Sequence, residues 1–512
     1  MTIEKLKHKV SKILNTKIDN IKNLKINKKS IDAREKLGGF YVLALDIEIE
    51  NEKKYLNIKN VEKVQPFSYE IPKRKFEKSP VIIGFGPAGL MSALILARSG
   101  ANPIVIERGK CVEERSKDIN KFWKTGTLNE NSNVQFGEGG AGTFSDGKLT
   151  TGIKDFRCRV LLEEFVKASA PEEILYMAKP HIGTDKLITM VKNMREEIIS
   201  LGGQVLFEHK AINLISENNC IKGVSVENLK TGEIFDIKTN HIVLAIGHSA
   251  RDTFEMIKQI EHPIEKKSFA VGVRIEHSQE LINNNQYGKF ACYLPPADYK
   301  LAVRLPNRRG AYTFCMCPGG YVVNASSENK RLVTNGMSYY SRSGENANSA
   351  LLIEVHPEDL DSDDILSGVK FQRDLEEKAF IAGGSNYYAP VQKIGDLLKE
   401  QPSTNIGNIK PTFKPGVTPC NFKDIFPEFI YQSIKLGIIE MDKKIKGFAD
   451  ENGLLTAVES RSSSPIRILR DENFQSVKFK GLYPCGEGCG YAGGIVSAGV
   501  DGIKCAEAIL NN

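Results

Sequence analysis

The hydrophobic pattern is densest between Ser79 and Gly109. Val81-Ile82-Ile83 is a short unbroken apolar run, which predicts a strand buried on both faces. Gly84-Phe85-Gly86-Pro87-Ala88-Gly89 follows at once, then an Ala/Leu-rich stretch to about Ser99 that predicts a buried helix. A second apolar run ends at Ile106 and is followed by Glu107. The order is strand, tight turn, helix, strand, acid. Ser79 to Ala97 is uncharged and nearly long enough to span a membrane, but two glycines and a proline at the strand end argue against a span.

The rest of the chain divides around this block. Ile3, Leu6, Val10 and Ile13 recur at helical spacing, and Phe40 to Glu50 alternates as a half-buried strand does. Asn51 to Lys54 reads as a turn, and Tyr55 to Val61 as the returning strand. A charged linker from Pro72 to Ser79 follows. Residues 158–201 predict two amphipathic helices around Lys179-Pro180-His181. Short strands start at Gly203, turn at Asn218-Asn219 and Thr231-Gly232, and end in the apolar run from Ile242 to Ile246 that closes on Gly247-His248. Between about Ser268 and Arg470, strands alternate with polar loops, with helices near 363–380 and 424–446. The chain ends in a glycine-rich stretch, 481–502, and an amphipathic helix.

The expected fold class is therefore α/β. A small basic α+β domain (1–75) precedes a Rossmann-like nucleotide-binding domain in two parts (76–267 and 471–512). A mixed-sheet α+β substrate or cap domain (268–470) is inserted between them.

Each glycine of the turn has a physical task. Gly84 permits a tight exit from the strand, Gly86 lets the backbone approach a pyrophosphate, and Gly89 lets the helix pack on the strand. The N-terminus of this helix offers free N–H groups and a positive dipole end to phosphates. Glu107 stands where an acid accepts hydrogen bonds from an adenosine ribose. Asn133 to Lys148 is the most unusual stretch. Gly137, Gly139, Gly140, Gly142 and Gly147 make no core and suit a loop laid against a flat ligand, while Phe136 and Phe144 argue against a loop free in water.

Charge adds one feature. The net charge is +7, and residues 1–75 hold 18 Lys/Arg against 10 Asp/Glu, so the basic excess belongs to the N-terminal segment. A solvated lysine-rich face and a patch for an anionic partner such as nucleic acid are both consistent with it, and sparse aromatic residues disfavour single-strand stacking. The ten cysteines are dispersed with no zinc spacing, and no signal peptide is visible, which suits free thiols in a reducing cytoplasm. No metal site and no membrane association are expected.

Three segments in this order resemble the glutathione-reductase-like FAD/NAD(P)-binding superfamily: GFGPAG with Glu107, the VLAIGHSA strand, and the late GLYPCGEGCGYAGGI. The phrases NVQFGEGGAGTFSDGKLTT, AIGHSARDTF, AVGVRIEH and YTFCMCPGGYVV extend the resemblance over about the whole chain, to an uncharacterised family of bacterial FAD-dependent dehydrogenases. It implies non-covalent FAD. Gly84, Gly86, Pro87, Ala88 and Gly89 would meet the pyrophosphate and Glu107 the ribose, with Arg108 and Arg115 near the adenosine and phosphates. The backbone of Ala211 would reach the adenine. Gly139, Gly140, Ala141, Gly142 and Thr143 would run along the flavin, and Gly247 would lie near the dinucleotide. Gly486 and Glu487 would serve the ribityl chain or diphosphate, and Gly493, Gly494 and Ile495 would begin a helix aimed at the flavin edge.

The implied activity is an FAD-dependent oxidoreductase, of dehydrogenase or reductase type, acting on a small molecule. The alternatives are a flavin monooxygenase and an FAD-containing RNA-binding or RNA-modifying protein that uses its basic N-terminal domain. Only Pro80 to Glu107 provides strand, glycine turn and helix together, so NAD(P)H is expected at most as a transient visitor. Five substrate-side candidates stand out. Cys315 and Cys317 would share a strand face, either as paired thiols or as buried packing. His248 suits a general acid/base or a loop role. Arg274 suits anion binding, and Arg461 suits a substrate or flavin contact.

Overall fold

The computed structural model describes residues 2–35 and 38–511, a mixed α/β chain with several sheets. The apolar run Val81–Ile83 is fully buried and lies at the centre of a five-stranded parallel sheet. Its neighbours are Ile104–Glu107 on one side and Ile242–Leu244 on the other, with Gln204–Phe207 and Leu482–Pro484 at the edges. Strands buried on both faces carry no polar alternation, which is why these short runs read as continuous apolar blocks. The helices Pro87–Ser99, Thr184–Ser200 and Ile495–Asn511 contribute to the apolar core against this sheet. A separate antiparallel sheet, His209–Glu217, Cys220–Asn228 and Ile234–Lys238, packs beside it.

Residues 269–459 supply a seven-stranded sheet. At its middle is Phe269–Ser278, flanked by Asn346–Val355 and Leu454–Glu459. Val273 and Ile275 belong to one large core with Ile430, Ile434 and Ile438 of the helix Glu428–Asp442. The opposite parity, Arg274 and Glu276, meets Asn346, Asn348 and the hairpin of Tyr321–Asn324 and Thr334–Met337. His277 follows Val273, with its ring against Phe448.

The N-terminal segment differs from its expected form. The partner of Gly38–Ile49 is Ile21–Glu35, in a long two-stranded hairpin, and Glu52–Tyr55 is a short 3-10 turn. Residues 56–61 form turns where a returning strand was expected. Register shifts at Ile21/Asn23 and Ile26/Lys28 break the alternation of the first strand, so it carries no clean period of two. Residues 61–76 form neither helix nor strand. Tyr69 donates to Glu507 (2.9 Å) and Arg74 to the carbonyl of Leu510 (2.7 Å), which ties this stretch to the last helix. Among the described residues, no helix is long and apolar enough to cross a membrane.

Candidate functional site

The glycines fall into two physical kinds. A Cβ on Gly84 (φ +97°) would lie 2.4 Å from the Ala245 carbonyl oxygen, and one on Gly89 1.9 Å from the Gly84 oxygen. These two allow backbone packing. A Cβ on Gly86 would meet only the Gly140 Cα, at 3.8 Å, and one on Gly247, Gly493 or Gly494 would meet nothing within 4 Å. The open glycines follow the carboxyl ends of three adjacent parallel strands and outline a cradle of bare backbone at that edge, the place where open α/β sheets bind ligands. Pro87 and Ala88 start a helix whose cap, Gly86, has no side chain, so its first N–H groups face the cradle without a side-chain acceptor. Ile495 opens the last helix beside Gly142.

Glu107 is buried at the end of its strand. Its carboxylate accepts from the backbone N–H groups of Phe85 (2.9 Å), Gly109 (2.8 Å) and Gly137 (3.0 Å). It thereby ties the glycine turn to the glycine-rich loop. Arg115 is a correction to the expected phosphate contact. It has no exposed surface and lies beneath the loop, donating to the carbonyls of Asn133, Val134, Glu138 and Gly140 at 2.6–3.0 Å. Burial pulls its guanidinium down to about 10, with Glu107 and Glu138 acting the other way, so it stays charged at neutral pH. Arg115→Met should leave the Asn133 and Val134 carbonyls without a donor, while those of Glu138 and Gly140 keep Thr143 (3.4 and 3.3 Å). At about 1 kcal/mol or more for each orphaned carbonyl, the expected cost is roughly 2 kcal/mol or more. Thermal unfolding of this variant beside Arg115→Lys checks it, since lysine keeps the charge but not the fork.

Glu138, which the sequence reading did not single out, is fully buried and accepts from Val112 N (2.7 Å) and Arg195 (2.8 Å). Burial pushes it up to about 7. Arg108 pairs with Asp252 (2.7 Å) and stacks over Phe136. Ala211 is buried in its strand opposite Val226. Thr143 is buried, and its carbonyl accepts from Thr184 (2.7 Å). The Gly486 N–H donates to Asp501 (2.8 Å). Cys485, Asp501 and Cys505 bring three buried ligand atoms together, but the two oxygens of Asp501 pair with Arg470 (2.7 and 2.9 Å), whose guanidinium takes the place of a cation.

The two cysteines of the Gly310–Cys317 strand do not share a face. A bulge between Phe314 and Cys317 shifts the register, and Cys315 takes a left-handed φ of +44°. Cys317 is buried, donates to the Cys315 carbonyl (3.2 Å) and lies 3.7 Å from Arg274. Cys315 keeps exposed surface in a densely surrounded position. Burial first and Cys317 second push its thiol up to about 12, so it remains protonated at neutral pH. Arg274 has no exposed surface. It holds the Cys315 carbonyl (2.9 Å) and Asn348 (2.5 Å) and lies 3.6 Å from Glu459, a geometry that supports the bulge.

His248 is enclosed, with Nδ1 3.1 Å from the Ser249 hydroxyl, which donates to Gln135. Burial lowers its pKa to about 3, helped by the cations of Arg461 and Arg251, so the imidazole is neutral across the physiological range. Arg461 itself is committed to Glu376 (2.8 and 3.0 Å) and Ser327 (2.5 Å). Glu487 is enclosed and pushed up to about 7 by burial, with Lys267 as the opposing charge.

Two domain families match the chain. Residues 268–462 match "FAD-dependent protein, C-terminal domain-like", and residues 2–48 match a domain of unknown function. An uncharacterized protein of Clostridium beijerinckii is 47% identical over 519 residues, covering 99% of this chain and 95% of its own. Among solved structures, the flavin-dependent brominase Bmp2 is 12% identical (TM-score 0.39), with 85% of this chain and 79% of that chain covered. A variant of the E. coli quinol fumarate reductase is 11% identical (TM-score 0.38), with 86% and 70% covered.

Proposed function

Since the chain belongs to the same family as this Clostridium beijerinckii protein, with an FAD-dependent C-terminal domain match within it, we propose that it is an FAD-dependent oxidoreductase of dehydrogenase or reductase type, within the glutathione-reductase-like superfamily, acting on a small molecule. The observation that carries this reading is the cradle of Gly86, Gly247, Gly493 and Gly494, open where a Cβ would stand and fed by a free helix N-terminus. The same set of residues fits a dinucleotide. Gly86, Pro87 and Ala88 would hold the pyrophosphate, and Gly139 to Thr143 with Gly493 to Ile495 would bracket the ring system. The remaining acceptor capacity of Glu107 is directed to the ribose.

The flavin supplies two-electron redox chemistry, and the protein supplies position and field. The bare glycines bring backbone close to the cofactor, and the last helix directs its positive end at it. Cys315 forms part of the substrate wall as a neutral thiol, and His248 supplies a neutral imidazole. Residues 76–267 and 471–512 together form the cofactor domain, and 268–470 the substrate side. One strand, glycine turn and helix unit, Val81–Ser99, stands out among the described residues, and on this reading NAD(P)H visits the flavin cavity only transiently.

Purified protein should be yellow and release about one FAD per chain on denaturation. Apoprotein should regain the flavin spectrum and a higher melting temperature with FAD, as expected when a ligand binds only the folded state. Protein that is colourless and unmoved by FAD rules the reading out.

A further inference from the structure

A chain of hydrogen bonds joins the substrate half of the protein to the cradle. It starts at the carbonyl of Ala325, just past the strand Tyr321–Asn324. Gln135, in the glycine-rich stretch, places Nε2 3.3 Å from that oxygen and Oε1 3.0 Å from the Ser249 hydroxyl. The same hydroxyl lies 3.1 Å from His248 Nδ1. Gln135 and Ser249 are both buried, so water does not compete for these bonds. His248 itself follows Gly247, one of the open glycines of the cradle.

Every proton along this chain is fixed from its far end. A carbonyl oxygen only accepts, so the Gln135 atom facing Ala325 is the amide nitrogen and the atom facing Ser249 is the oxygen. An amide oxygen also only accepts, so the Ser249 hydroxyl directs its single proton to Gln135. What Ser249 offers to His248 is then a lone pair, and Nδ1 must carry the ring proton. The imidazole is neutral, so Nε2 is left as a bare acceptor. Among the described residues Nε2 has no hydrogen-bond partner, and the residue keeps exposed surface.

We propose that His248 binds the substrate by accepting a hydrogen bond at Nε2, and that the substrate presents an uncharged O–H or N–H group there. A substrate without such a group leaves the lone pair unmatched, and that mismatch is what discriminates. An ammonium donor is disfavoured for the same reason as the imidazolium: burial first, then Arg461 and Arg251, oppose positive charge at this ring. This inference rests on the flavin reading above.

Nitrogen NMR of protein carrying isotope-labelled histidine reads the ring directly, with or without flavin. The His248 signals, identified by their loss in His248→Phe, should be those of a neutral Nδ1–H imidazole at neutral pH. Ser249→Ala and Gln135→Leu should each return the ring to the Nε2–H form that an unconstrained histidine favours. FAD-loaded protein is then titrated with three matched pairs: phenol and anisole, cyclohexanol and methoxycyclohexane, benzamide and N,N-dimethylbenzamide. At least one donor should bind about fivefold or more tighter than its methylated partner, the size of one hydrogen bond, and should shift the Nε2 resonance. Ser249→Ala should lose that preference. An Nε2–H or charged ring in the wild type, no preference in any pair, or a preference that survives His248→Phe overturns the proposal. Wild-type protein that shows the Nδ1–H ring but takes up no flavin fails at the earlier reading alone.

Discussion

Gly86→Val should give folded, colourless protein. Gly86 has φ −74° and ψ −174°, extended backbone that any residue adopts, and its Cβ would meet only the Gly140 Cα at 3.8 Å. The fold therefore tolerates the side chain, which projects into the space assigned to the pyrophosphate. Losing two charge-assisted contacts there costs about 3 kcal/mol or more, roughly 100-fold in FAD affinity. Gly86→Ala should fall between wild type and valine. Gly89→Val should instead fail to fold, because its Cβ would lie 1.9 Å from the Gly84 oxygen. FAD content and circular dichroism of the three variants separate these outcomes. A folded Gly86→Val protein that keeps its flavin removes Gly86 from the cofactor site.

This contrast shows what the sequence made legible. Strand, glycine turn, helix and acid are contiguous, so local pattern alone located the sheet centre and its turn. Which glycine packs and which stays open depends on Ala245, Gly140 and other remote backbone, and no spacing encodes that. Arg115 stood at a recognisable position, yet its partners are four main-chain carbonyls, invisible to a side-chain pattern. Cys315 and Cys317 followed the period-two rule on paper, and one bulge separated them. The long hairpin partner at Ile21–Glu35 was hidden in the same way, by register shifts in a lysine-rich strand.

The ion cluster that joins the two halves of the chain was the least legible feature, and it should carry a large stability effect. Arg251 begins the helix after Gly247-His248, Glu376 lies on the helix Ser367–Ala382, and Arg461 follows the last strand of the large sheet. Glu376 has no exposed surface and accepts from Arg251 (2.7 and 2.8 Å), Arg461 (2.8 and 3.0 Å) and Ser460 (2.7 Å). Glu328 shares Arg251 and also pairs with Arg373 (2.6 Å). Glu376→Ala leaves two buried guanidiniums facing each other with only Glu328 between them, and breaking a buried pair in this way costs about 3–5 kcal/mol. The double variant Glu376→Met/Arg461→Met removes one charge of each sign and keeps Arg251 paired with Glu328. It should be markedly more stable than Glu376→Ala, because replacing a buried pair with apolar groups is often close to neutral. Burial alone would raise the Glu376 pKa, but the two arginines outweigh it and hold it far below the ordinary 4.5. A carboxylate depressed in the folded state contributes stability above its unfolded pKa and loses it as pH falls toward the folded value. Wild-type stability should therefore decline from about pH 4.5 downward, and this carboxylate's share of the decline should be absent in the double variant. Chemical denaturation across pH 3–7 measures both effects. Equal stability of the single and double variants would mean that the cluster acts through packing and not through charge balance. Because Arg251 is next to the segment bearing Gly247 and His248, the single variant should also hold FAD less firmly.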